Sequence, residues 1–159
     1  MAGDAGRGTG RIRWTADGGR TGLGREGAVV IGTVRFLHRE SAGLVLDAGA
    51  LIALDCGDRR ILLLLDLAAQ TSASVTVPAS ALAQALRSPV RQARLMRLIR
   101  QPTTATMPLD GVAASRVGQL LASSGTSDIA DAHVVVCAHR AGHPVVTSEP
   151  DDLRRLAPP

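Results

Sequence analysis

From residue 44 onward, short apolar segments alternate with longer stretches of helical pattern, and this alternation constrains the fold more than any other feature of the sequence. Residues 44–46 (LVL) and 75–77 (VTV) are short apolar or β-branched runs typical of buried strands, and residues 103–107 and 144–147 favour strands as well. Short buried strands separated by helices predict a parallel sheet that is covered by helices on both faces. The predicted fold class is therefore α/β.

Six helices are predicted around these strands. Pro89 is expected to bend or break the longest of them, and Ser88 is expected to cap the half that restarts there. Ser127 is predicted to be the N-cap of the helix that Gly142 ends. The first helix is the AGALIAL segment after Asp47, and the others cover residues 59–69, 79–100, 109–121, 128–140 and 150–156.

The composition excludes several classes of protein. Trp14 and Phe36 are the only aromatic residues, so the core must consist of Leu, Val, Ile and Ala, and domains that stack nucleic-acid bases on aromatic side chains are disfavoured. Cys56 and Cys137 are too few and too far apart for a disulfide framework or a zinc site. Because no apolar run is long enough to span a membrane and no secretory signal opens the chain, we expect a soluble, cytoplasmic protein.

The chain divides near residue 40. Residues 1–27 contain nine of the 17 glycines, interspersed with arginine, and this composition predicts disorder. Residues 1–40 are therefore interpreted as a disordered extension, or as the result of a translation start placed too far upstream. Residues 28–37 are apolar enough for a short strand, although the pattern gives that strand no position in the fold. The net charge of +4 lies mainly in this extension, because residues 41–159 hold eleven arginines and ten acids.

Four acidic residues follow predicted strands or lie at the start of a predicted helix, where a parallel α/β sheet commonly binds its ligands. Asp47 directly follows the first strand, Glu149 lies two residues after the last, and Asp128 and Asp131 lie three apart in the first turn of a helix. Because ligands of such sheets gather beyond the carboxyl ends of the strands, we expect these carboxylates to converge. Hard cations such as Mg²⁺ take oxygen ligands and can activate water for phosphodiester hydrolysis.

Simpler structural roles remain open for each of these acids. Asp47 can cap the helix that follows it, Asp128 can stabilise the positive end of a helix, and Glu149 can be an ordinary loop residue. His133 is expected to face away from Asp131, and no serine is predicted to have a histidine base. Thr147 and Ser148 are expected to donate hydrogen bonds to the acids. Five arginines between residues 87 and 100 predict a basic stripe on a helix, from which a break at Pro89 removes the first.

Four segments together resemble one family. LVLDAGALIAL is similar to the opening strand, first aspartate and first helix of PIN-domain proteins, especially VapC-type toxins. TVPASALAQAL resembles their second strand and helix, SDIADAHVVVCAHRAG the helix with their third acid, and PVVTSEPDDLRRLA their closing strand, loop and helix. The resemblance covers residues 44–157, and the segments occur in the family's order.

This resemblance implies a three-layer α/β/α PIN-like domain with a short central parallel sheet. It also implies an endoribonuclease that depends on Mg²⁺ or Mn²⁺, the toxin of a type II toxin–antitoxin pair, with an antitoxin partner and a homodimeric state. By position, Asp47 corresponds to the first acid and Asp131 to the third, Glu149 stands where the family has aspartate, and Asp128 is an auxiliary metal ligand. Gln84 replaces the family's usual second acid, a glutamate. The alternative is a catalytically degenerate domain that binds RNA or a protein partner without cleavage.

Overall fold

The computed structural model describes residues 29–31 and 43–156. Its strands are β1 (Val29–Ile31), β2 (Gly43–Leu46), β3 (Ser74–Pro78), β4 (Thr104–Met107) and β5 (Val145–Thr147). They form one sheet in the order β1-β5-β2-β3-β4, in which β2, β3, β4 and β5 are parallel and β1 is antiparallel to β5. The predicted α/β class with a parallel sheet is thereby confirmed.

Strand β1 comes from the segment before residue 44, for which the sequence pattern gave no position in the sheet. Val29 pairs with Thr147 and Ile31 with Val145, so β1 covers the edge of the sheet beyond β5. Apart from this strand, the extension whose disorder is predicted lies outside the described residues.

Helices in the described residues pack around the parallel strands. They are α1 (Ala48–Asp55), α2 (Arg59–Gln70), α3 (Ala79–Ala85), α4 (Ala93–Ile99), α5 (Gly111–Ser124), α6 (Ile129–Ala141) and α7 (Pro150–Leu156). Helix α6 packs against β2, β3 and β5 and also contacts α5 and α7, whereas α1 packs with α2, α3 and α4. These contacts are consistent with three layers, helix–sheet–helix.

The long helix predicted between residues 79 and 100 is divided into α3 and α4, as expected from Pro89. The expected cap is wrong, because the carbonyl of Ser88 accepts hydrogen bonds from the Arg91 and Gln92 N–H groups in a turn, and α4 begins only at Ala93. The buried Gln92 side chain holds this connection, since its Oε1 accepts from the Ser88 N–H at 2.9 Å and its Nε2 donates to the Ala85 carbonyl at 3.0 Å. Arg91 therefore lies outside the helix, and the predicted basic stripe is shortened.

The core is aliphatic, as the composition predicts. Val45, Leu46, Leu51, Val77 and Val146 are completely buried, and all belong to strands of the sheet or to α1. The strands β3 and β5 flank the edges of β2, and the helices α1 and α6 pack against it, which explains why all four of its residues are buried. The strand ends that bear the predicted acids are thus fixed by the rigid centre of the domain.

Candidate functional site

Asp47 lies at the carboxyl end of β2 and caps α1. Its side chain is only 6% exposed, and its Oδ1 accepts a hydrogen bond from the Ala50 N–H at 2.6 Å. Burial raises the pKa of this carboxyl above its ordinary value, although the neighbouring Thr147 hydroxyl and the Ala50 N–H act in the opposite direction. The structure therefore shows the capping role, which leaves the second carboxylate oxygen as the candidate for binding a ligand.

The loop after β5 approaches Asp47 closely. The Oγ1 of Thr147 accepts a hydrogen bond from the Glu149 N–H at 2.9 Å, which fixes the start of this loop. A Cβ atom on Gly49 would overlap the Ser148 hydroxyl, so a larger residue at this position would require the Ser148 side chain to change its rotamer. The Thr147 hydroxyl hydrogen-bonds to the Asp47 carboxyl, as expected, and this lowers the pKa of that carboxyl. Ser148 packs against Gly49 and donates no hydrogen bond to an acid of the described residues.

The start of α6 differs by one residue from the prediction. Asp128, not Ser127, is the N-cap, and its Oδ1 accepts hydrogen bonds from the Ala130 N–H at 2.9 Å and the Asp131 N–H at 3.0 Å. An ionised aspartate is favoured over serine at this position because its charge also interacts with the helix dipole. Asp128 thus lies before the first turn, with one carboxylate oxygen already occupied by the backbone.

Asp131 is the half-buried acid around which the other acids gather. Its pKa is raised to about 6, first by burial and then by the negative charges of Asp128, Asp47, Asp152 and Glu149, in that order. The same end of the sheet therefore brings together the four acids expected from the sequence. Repulsion of this kind opposes folding unless a cation or a proton neutralises it.

Asp152 is a member of this cluster that the sequence pattern did not single out. It lies in the first turn of α7, three residues after Glu149. The signal was present in the SEPDD segment, where three acids follow the last strand, but only the packing of α7 on α6 selects Asp152 rather than Asp151.

Gln84 is not joined to this cluster. It lies exposed on α3, and no hydrogen bond links it to an acid among the residues the structure describes. A neutral carboxamide at this position contributes no charge that would attract a cation.

A buried pair that the sequence did not predict joins α3 to α6. His133 is completely buried, and its Nδ1 lies 2.8 Å from the Ser80 Oγ. Burial lowers the pKa of the imidazole, and its Nε2 makes no hydrogen bond within the described residues. Because the ring has no access to solvent, the pair is interpreted as a structural contact and not as a nucleophile with its base. The single polar residue within the apolar segment from Ala132 to Val136 was the available signal.

An open cleft of about 330 Å³ lies beside Asp131. The connection between α5 and α6 forms one wall and α7 the other, so that Asp128, Asp131 and Asp152 line it together with Arg155. Within residues 43–156, no three Asp, Glu, His or Cys side chains are arranged closely enough to hold one metal ion between them. The cluster is thus a region of concentrated negative charge beside a cleft, with no preformed shell of three ligands.

Comparisons with known proteins add no family assignment. The sequence matches no protein-family model and no curated protein. Among the described residues, no helix has the length and apolar character that a membrane crossing requires.

Proposed function

We propose that this chain is a metal-dependent endoribonuclease that hydrolyses RNA phosphodiester bonds at the carboxyl end of its parallel sheet. Asp47 and Asp131 are the principal carboxylates of the site. Glu149 and Asp128 assist them, and Gln84 positions water or substrate from α3. The proposal combines the four-segment PIN-like resemblance with the position of these acids.

One observation carries the proposal: Asp131 is a half-buried carboxyl whose pKa is raised first by its burial and then by the negative charges of four neighbouring acids. The backbone alone explains Asp47 and Asp128 as helix caps, but it gives no reason to place Asp131, Glu149 and Asp152 beside them. Like-charge clusters of this kind are typical of functional sites, where a ligand compensates for their cost.

The donor chemistry fits Mg²⁺ or Mn²⁺. All candidate ligands are carboxylate oxygens, and each of the two capping aspartates keeps one oxygen outside its backbone hydrogen bonds. Mg²⁺ commonly binds to one or two protein carboxylates and keeps several waters, so a shell of three protein ligands is not required. When bound, such an ion supplies activation of water and neutralises charge at the phosphate.

A second candidate function is binding of RNA or a protein partner without cleavage. The exposed position of Gln84, without contact to the acids, favours it. The main proposal and this alternative predict different results in one assay.

That assay measures cleavage of structured RNA on a gel by the purified chain in Mg²⁺, in Mn²⁺ and in EDTA. We expect metal-dependent cleavage that Asp47→Asn abolishes, because asparagine keeps the cap of α1 but removes the buried charge. Asp58→Asn is the matched control, since Asp58 also caps a helix, α2, through its Oδ1 and does not contribute to the charges around Asp131.

Equal cleavage by Asp47→Asn and the parent would show that the assigned site is wrong. A folded parent chain that binds the metal but cuts no RNA would instead favour the second candidate.

The toxin role, the antitoxin partner and the homodimer are proposed on the family resemblance. Ile52 on α1 is 47% exposed and Leu63 on α2 is 69% exposed, which gives these helices apolar surface for a partner or a second copy. Light scattering of the parent chain and of Leu63→Glu tests the homodimer, and we expect the substitution to shift the mass toward a monomer.

A further inference from the structure

Helix α7 presents two ion pairs of the same type, but only one of them faces the acidic cleft. Arg154 pairs with Asp151 at 2.7 Å and Arg155 pairs with Asp152 at 3.4 Å, each across one helical turn. Arg155 and Asp152 line the cleft beside Asp131, whereas the other pair does not.

The buried face of α7 determines this difference. Leu153 and Leu156 are the residues that it buries, and Leu156 packs against Val117 of α5 and Ala132 of α6. In helical rotation, residues 152 and 155 lie on the side of Leu156, while residues 151 and 154 lie on the opposite side. Because Leu156 packs against α5 and α6, the side of α7 that carries Arg155 faces the start of α6.

Arg155 is the only cation lining this cleft among the residues that the structure describes. Its partnership with Asp152 is loose, because the side chains are 71% and 50% exposed and the two atoms are 3.4 Å apart. Exposed pairs of this kind stabilise proteins weakly, so the guanidinium can exchange its carboxylate for a stronger partner. A phosphodiester matches the planar donors of arginine and gives charge-assisted hydrogen bonds.

We infer that Arg155 binds a backbone phosphate of an RNA strand lying in the cleft between α7 and the start of α6. This inference deepens the proposed function and rests on it, because it identifies where the substrate lies beside Asp131. The three aspartates that line the cleft repel a phosphate, and Arg155 offsets part of this repulsion where its guanidinium lies. Arg155 is thus a substrate-binding residue that contacts the RNA backbone and not the bases.

The experiment compares Arg155→Met with Arg154→Met. Each change removes one positive charge and one ion pair from α7, and both ion pairs join residues three apart. Fluorescence anisotropy with a short labelled single-stranded RNA gives the Kd at several salt concentrations, in Ca²⁺ and in EDTA. We expect Arg155→Met to weaken binding about tenfold. The slope of log Kd against log salt should fall by about one, because one phosphate contact is lost. Arg154→Met should leave both quantities close to those of the parent.

The change in salt slope separates an RNA contact from a loss of folded protein, which would lower the binding capacity but not the slope. Equal Kd values and slopes for the two variants, or no RNA binding by the parent, would overturn the inference. Metal-dependent cleavage by the parent together with equal binding by the variants would overturn it while leaving the nuclease intact. A loss of binding specific to Arg155→Met, in a parent chain that does not cut RNA, would support the inference and reject the nuclease.

Discussion

Asp131 and His133 lie two residues apart at the start of α6, yet their polar groups lie in opposite environments. His133 is completely buried and pairs with the Ser80 hydroxyl at 2.8 Å. Asp131 is only partly buried, and the acids around it repel its charge. One end of α6 therefore holds a buried structural contact next to a half-buried carboxyl that the neighbouring acids repel.

The two residues also face different parts of the molecule. His133 points toward α3 and contributes to the joint between two helices, whereas Asp131 borders the open cleft beside α7. Stability is therefore expected to depend strongly on the first residue and to increase when the charge of the second is removed. Three substitutions test this contrast.

His133→Ala is expected to have the largest effect on stability. It removes a completely buried ring and leaves the Ser80 hydroxyl without its partner. We expect the free energy of unfolding to fall by about 3 kcal/mol, from the cavity and the lost hydrogen bond together. Denaturant unfolding at neutral pH measures this change.

Ser80→Ala is the matched control for that experiment, because it removes the hydroxyl but keeps the ring. A loss of about 1 kcal/mol is expected from it. If His133→Ala is as stable as the parent, the pair does not join α3 to α6 in the way we describe.

Asp131→Asn is expected to stabilise the protein at neutral pH in EDTA. Because the pKa is raised from 3.8 to about 6, the folded protein binds a proton more tightly than the unfolded chain, and ionisation lowers stability as the pH rises through this range. We expect a net gain of about 1 kcal/mol, after allowance for solvent screening and for the lost interaction with the helix dipole.

Denaturant unfolding across a range of pH gives the diagnostic signature of this change. The gain should be complete above pH 6 and should disappear as the pH falls below 3.8, where both side chains are neutral. A gain that does not vary with pH would show that repulsion among the acids is not its cause.

Gln84→Glu should change stability least, by no more than about 0.5 kcal/mol, because Gln84 is exposed. Its effect should appear in the cleavage assay, where we expect a higher rate in Mg²⁺ from the added carboxylate. Gln84→Ala is the control for simple loss of the amide. An unchanged rate in both variants would place Gln84 outside the site.

Much of the fold could be predicted from the sequence. The four parallel strands and the helices between them follow from apolar patterns of a few residues, and glycine ends α6 at Gly142 as expected. The errors concern where helices begin, because neighbouring residues compete for the capping position. Asp128 caps α6 in preference to Ser127, and the turn at Ser88 delays α4 until Ala93.

The candidate site was only partly predictable. Asp47 and Glu149 follow strands whose parallel arrangement brings their ends to one edge, so their approach to Asp131 follows from topology. Asp152 and Arg155 were missed because nothing in SEPDDLRRL specifies which side of α7 faces α6.

The strand and helix pattern and the capping role of Asp47 were open to prediction from the sequence, because both depend on interactions within three or four residues. The contact of Ser80 with His133, 53 residues away, could be seen only in the folded domain. The same holds for the position of β1 at the edge of the sheet and for the cleft that Arg155 shares with Asp131. The physical reason is that such contacts depend on how separate elements pack, and packing is set by the burial of apolar faces across the whole domain.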